Sequence, residues 1–308
     1  MSIAVEPADA PVAPEPREQS PWRRFASEFA ESKLALLGLA MLLAIATIAI
    51  TAPWISPQNP YDLAQLDVLD SKLAPGEHSS SNGKTYWLGT DDQGRDMLSG
   101  IFYGLRISLI VGVSSTVIAL AVGLALGLAA AYFGGWVDAI VMRIADIQLS
   151  FPAILIALVL LAVLGQGVDK IIVSLVTVQW AYYARTVRSA ALVERQKEYI
   201  EAARVLALSR PRIVLRHLLP NCLPPLIVVA TVQVAHAIQL EAALSFLGLG
   251  LPITEPSIGL LISNGFQYLL SGKYWISFYP GVALLLTIVA INLVADQLRD
   301  VLNPRLKK

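Results

Sequence analysis

ISLIVGVSSTVIALAVGLALGLAAAYF, Ile107 to Phe133, contains no Asp, Glu, Lys or Arg. A helix rising 1.5 Å per residue needs about 20 apolar residues to cross about 30 Å of hydrocarbon, so this stretch is long enough to span a bilayer. Within it Ala119, Gly123, Gly127 and Ala131 recur every four residues. That spacing either lines one helix face with small side chains that admit a neighbour's backbone or reflects the general Gly and Ala content of apolar helices. Working outward, Leu34 to Trp54, Ile147 to Val168 and Tyr274 to Ala295 are equally free of charge. Leu218 to Leu240 is too, although it opens on Leu-Leu-Pro-Asn and includes His236. A further run, Ile171 to Ala184, reaches span length only with help from Val168 and from residues beyond Arg185.

The composition agrees with the bilayer as solvent. Of 308 residues 56% are hydrophobic and 15% charged, against about a quarter charged in ordinary soluble domains. A formal net charge of zero gives no global field to recruit nucleic acid. Cys222 stands alone and forms no intramolecular disulfide, and no Cys/His cluster has metal-ligand spacing. No Ser/His/Asp or paired-carboxylate arrangement marks a catalytic site, so an enzyme is not expected.

Lys and Arg set the orientation, because positively charged loops stay in the cytoplasm. Arg17, Arg23, Arg24 and Lys33 precede the first run; eight basic residues lie between Arg185 and Arg216; Arg299, Arg305, Lys307 and Lys308 close the chain. Ile55 to Phe102 instead carries seven acids against Lys72, Lys84 and Arg95, and should face outward. Six spans with both termini inside satisfy this, and Ile258 to Leu270 is then an outer-face or re-entrant segment. The expected organisation is a disordered cytoplasmic tail (1–33, rich in Pro at its start), a retained first helix (34–54), a periplasmic segment (55–102), a helical membrane domain (103–300) and a cytoplasmic C-terminal tail (301–308).

Charged and polar groups near the spans need partners. Arg143 and Asp146, three apart, are expected to pair at the cytoplasmic boundary, and Asp296 and Arg299 to do likewise at the end of the last span. Gln233, His236 and Glu241 fall on one side of the fifth helix and should face the bundle interior or water, either bordering a translocation path or making packing contacts.

The loop KEYIEAARVLALSRPRIVLRHLLPN, Lys197 to Asn221, is of mixed character. Tyr199, Ile200, Ala203, Leu206 and Ala207 give a helix with one apolar face, and Ser209 with Pro211 marks a break and restart. Two short helices at an angle are expected, with a shallow apolar groove at Ala203 and Ala207 rimmed by Glu201, Arg204, Arg212 and Arg216. Such a surface suits docking on another protein; a basic amphipathic loop can also anchor on lipid headgroups.

Glu201-Ala202-Ala203, followed by Leu219-Pro220, resembles the EAA loop of binding-protein-dependent ABC importers. That family's pattern has Gly six residues after its Glu, where this chain has Ala207; alanine resists positive φ, so a more helical turn is expected here. Trp87 to Leu109 (WLGTDDQGRDMLSGIFYGLRISL), Tyr132 to Pro152, Leu244 to Gly250 (LSFLGLG) and Asp296 to Pro304 are similar to the second permease subunit of dipeptide, oligopeptide and nickel importers. The resemblance implies an all-α membrane protein, the six-helix, MetI-like transmembrane domain of a type I ABC importer in the bacterial inner membrane. It implies a loop at Glu201, Ala202, Ala203, Ala207, Arg212, Leu219 and Pro220 that couples to ATPases, with a homologous permease, two cytoplasmic ATPases and a periplasmic binding protein as partners. The chain has no GxxxxGK[ST] phosphate loop, so no cofactor is expected on it, and ATP with Mg would be used by the partners. A peptide is the implied solute, with nickel, an opine or glutathione possible within the family. An ion-coupled transporter using His236 and Glu241, or an anchoring subunit, is the alternative outside it.

Overall fold

The computed structural model describes residues 20–302 apart from 82, 253 and 256, and the described residues are almost wholly helical. The expected disordered tail falls outside them up to residue 19. Its later part is folded: α1 (Pro21–Ala30) starts where Ser20 Oγ accepts the Arg23 amide, with Pro21 in the first turn, where a missing N–H costs nothing. Phe25 and Phe29 turn inward onto Ala35, Val294 and Val301, so α1 lies against both the first and the last long helix.

Next come α2 (Lys33–Ile55), α3 (Met97–Phe133), α4 (Gly135–Leu149), α5 (Ala153–Leu164), α6 (Val168–Glu194), α7 (Glu198–Val205), α8 (Arg210–Phe246), α9 (Ile258–Phe266) and α10 (Trp275–Leu302). Four of these, α2, α3, α8 and α10, are long and apolar enough to cross a membrane, and the bent pair α4–α5 makes five. Six crossings were expected. The remaining candidate, α6, has the length, but Arg185 and Arg188 in its second half, with Ser174, Thr177 and Gln179 before them, dilute its apolar content. The C-terminal tail expected from 301 begins inside α10, and residues 303–308 lie outside those described.

Three expected spans have different bounds. The third, Ile147 to Val168, is not one helix: α4 ends at Leu149, α5 starts at Ala153, and their axes meet at 92°. Pro152 is the physical reason, since it lacks an amide hydrogen and pushes the residue before it out of the helical region. The second span begins at Met97, within the segment expected to be periplasmic, because Asp96 caps it by accepting from the amide (2.9 Å) and hydroxyl (2.5 Å) of Ser99. The fifth starts at Arg210 rather than Leu218, through a π-helical turn at Ile213–Leu218.

The small residues of α3 do admit a backbone. A Cβ on Gly127 would lie 2.5 Å from Ala184 O, and one on Gly123 2.5 Å from Trp180 O, both on α6. Close approach of α3 and α6 is therefore built into the sequence. The first long helix meets the last in the same way, with Gly38 of α2 against Leu293 and Ala290 of α10.

Between α2 and α3 lies a cap built on buried polar groups. Asp70, Asp91, Arg95 and Asp96 are each 2% exposed or less. Asp91 accepts from Arg95 Nε (2.6 Å) and from the amides of Gln93 and Arg95 (both 2.9 Å), while Asp70 accepts from Tyr86 Oη (3.0 Å) and the Ser80 amide (3.1 Å). Gly89-Thr90-Asp91 and Gly94-Arg95-Asp96 are turn formers: Gly94 has φ 77°, and a Cβ there would sit 2.1 Å from Asp67 O. Trp275 Nε1 donates to Thr90 O (3.2 Å), fastening the cap to the start of α10. The nine-residue α9, at about 13.5 Å too short to cross, lies at this same end of the bundle.

Candidate functional site

The loop between α6 and α8 is an elbow with its own small core. Ile200, Ala203 and Ile213 are buried together, with Leu208 packed against them. Ala203 therefore does not line a groove. It faces inward, and the exposed apolar groups are Val205 (85%) and Leu206 (73%). The expected pair of short helices is also revised: α7 is short, but the second helix is the beginning of α8, restarting at Ser209 with Pro211 in its first turn. Glu201, Ala202, Arg204, Arg212 and Pro220 are exposed, and Leu219 is half-buried.

Ala207 is the other correction. It adopts φ 53°, so the turn is left-handed and not more helical. Its amide donates to Arg204 O (2.9 Å) and that of Leu208 to Ala203 O (3.1 Å), the paired bonds of a Schellman helix end. These bonds, and burial of Leu208 against Ala203, hold alanine where glycine would sit without strain.

The elbow is clamped to the bundle by residues that spacing does not reveal. Glu194, at the end of α6, accepts from Lys197 Nζ (2.7 Å) and Tyr199 Oη (2.6 Å). Partial burial and the Glu194 carboxylate push the Tyr199 phenol up to about 12. Arg195 donates to Ala131 O at the end of α3, and Arg188 grips both carboxylate oxygens of Asp138 on α4. The expected Arg143–Asp146 pair is not formed: Asp146 pairs with Arg185 of α6, because α4 packs along that helix and brings the two side chains together. Nor do Asp296 and Arg299 form an ion pair; both instead line a cleft of about 1000 Å³ together with Arg185, Glu194, Asn221 and Gln233. A neighbouring pocket of about 370 Å³ is lined by Tyr182, Gln179, Gln233, His236 and Gln239 among others.

Gln233, His236 and Glu241 are thus separated. Gln233 and His236 reach the pocket, but Glu241 is fully buried, accepting from Ser108 Oγ of α3 (2.8 Å) and Ser245 Oγ (2.9 Å). It joins helices and borders neither cavity. Among the described residues no group of three His, Cys, Asp or Glu could hold a metal ion.

Residues 123–308 match the family described as binding-protein-dependent transport system inner membrane component, and residues 20–75 match the N-terminal TM domain of oligopeptide transport permease C. The chain belongs to the first of these families, and it is a multi-pass membrane permease subunit. Among its relatives, the di/tripeptide transport system permease protein DppC of Pseudomonas aeruginosa (strain UCBPP-PA14) is 37% identical over 94% of this chain and 93% of that one. The dipeptide transport system permease protein DppC of Escherichia coli (strain K12) is 41% identical over 95% of this chain and 96% of that one. A chain from the inward-facing MetNI methionine ABC transporter superposes with a TM-score of 0.53 at 23% identity, covering 67% of this chain and 98% of that one. That likeness is one of fold.

Proposed function

We propose that this chain is one permease subunit of an ATP-driven importer that carries peptides across the bacterial inner membrane. It would work with a homologous permease, two cytoplasmic ATPases that bind the ATP and Mg, and a periplasmic binding protein, with both termini in the cytoplasm. The observation that carries the reading is the elbow. A self-packed turn tied to α3 and α6 presents Val205 and Leu206 outward, beside exposed Glu201, Arg204 and Arg212. Covering two such side chains on a partner is worth roughly 2–4 kcal/mol, before the costs of association.

The elbow is also mechanically continuous with the bundle. Its second limb is α8, which runs 37 residues, about 55 Å, from Arg210 to Phe246 beside the cap. ATPase closure that displaces Val205 and Leu206 moves one end of this helix, and Glu241 ties its other end to α3. The ATPases drive transport only if they bind the elbow more favourably in one gate state than in the other. The enclosure of Glu241 among serine hydroxyls, away from both cavities, favours this reading over a proton relay through that residue.

The test is charge reversal at Glu201 and Arg204 in the assembled transporter, with membrane insertion confirmed. Peptide uptake should fall at least tenfold while ATP hydrolysis persists uncoupled. Normal uptake by the double variant would remove the elbow from this role.

A further inference from the structure

The 370 Å³ pocket between α6 and α8 has a largely apolar wall into which Gln179, Tyr182, Gln233, His236 and Gln239 bring polar groups, and no Asp, Glu, Lys or Arg lines it. Its size lies within the roughly 300–1000 Å³ usual for small-ligand sites. Gln233, His236 and Gln239 recur every three residues on one face of α8, and Tyr182 of α6 stands opposite. His236 and Gln239 are exposed. Two exposed polar side chains in the middle of a long apolar helix are costly against lipid, so this face meets water, protein or solute. Of the described lining residues only Gln233 borders both this pocket and the 1000 Å³ cleft, and its main-chain carbonyl accepts from Gln179 Nε2 (3.2 Å). At Gln233 the pocket therefore adjoins a space where Arg185, Glu194, Asp296 and Arg299 supply both signs of charge.

The geometry points to this pocket as a transit site that binds the backbone of a short peptide, an assignment that rests on the peptide-permease reading above. Each peptide unit offers one donor and one acceptor, and a carboxamide offers the same pair. Gln239 and Gln233 can engage the backbone whatever the peptide's side chains, with His236 and Tyr182 adding further donors or acceptors. The ammonium and carboxylate termini find counter-charges only beyond Gln233, in the cleft.

The complete transporter with its binding protein, reconstituted in proteoliposomes, tests this with dialanine, alanyl-phenylalanine and dialanine N-methylated at its peptide nitrogen. Gln239→Leu and His236→Leu each replace an exposed side chain with one suited to a membrane helix. Each should lower uptake of dialanine and alanyl-phenylalanine by the same factor, roughly fivefold for one lost hydrogen bond. ATP hydrolysis stimulated by the binding protein should stay within twofold. N-methylated dialanine should enter wild type more slowly and be less sensitive to Gln239→Leu. Unchanged dialanine uptake in both variants, or losses that depend on the peptide's side chain, would overturn the transit site while leaving the peptide-permease reading intact. A wild-type complex that takes up none of the three probes would overturn that reading and the site's ligand with it.

Discussion

Replacing Ala207 with glycine should tighten the elbow. The residue sits at φ 53°, where a Cβ costs an L-residue roughly 1–2 kcal/mol, while glycine raises the entropy of the open chain by about 0.5–1 kcal/mol. The difference leaves a net gain of up to about 1.5 kcal/mol, because the two Schellman bonds at Arg204 O and Ala203 O and the contact of Leu208 with Ala203 are unchanged. Hydrogen exchange of the Ala207 and Leu208 amides in the purified protein reads this directly, as protection increased up to about tenfold. Ala207→Val should move protection the other way, since a β-branched side chain fits positive φ worse than alanine does. Faster exchange in the glycine variant, or equal protection in glycine and valine variants, would refute a left-handed turn at this position.

Glu241→Ala strips Ser108 and Ser245 of a common acceptor in a fully buried site, and should lower the stability of the detergent-purified protein by about 2–4 kcal/mol. Glu241→Gln, which keeps an acceptor oxygen, should lose less than half as much; equal losses in thermal melts would argue against the hydrogen-bonded knot. Gly127→Ala places a methyl group 2.5 Å from Ala184 O and forces α3 from α6, at a cost of about 1–3 kcal/mol. An unchanged melting temperature for that variant would mean the seam is looser than described.

Runs without charge located α2, α3 and α10 because those helices answer mainly to the apolar solvent around them. Where protein replaces lipid as the neighbour, a span no longer has to be free of charge. In α6 Arg185 and Arg188 break the run, yet each is matched by an aspartate of α4 some 40–50 residues away, a pairing no local pattern reports. The bend between α4 and α5 was hidden because both sides are apolar, although Ser150-Phe151-Pro152 inside the run carried the signal. In the elbow, periodicity identified an apolar face correctly but not what covers it. Ile200 and Ala203 are taken up by the elbow's own core, and Leu206 is left outside. Ala207 shows the limit of propensity: two backbone bonds and one packed leucine outweigh the preference of a single residue.

The contact between α2 and α10 has a consequence for biogenesis. The first membrane helix leaves the ribosome some 220 residues before the helix that receives Gly38 and, with α1, the Phe29 side chain. At roughly 5–20 residues per second this is a wait of tens of seconds in the lipid with its eventual seam uncovered. α10 thus completes a seam that α2 has to wait for. A chain cut short anywhere before Trp275 would still insert its earlier helices, but it would leave the Gly38 face of α2 without the helix it packs on, a natural target for membrane quality control.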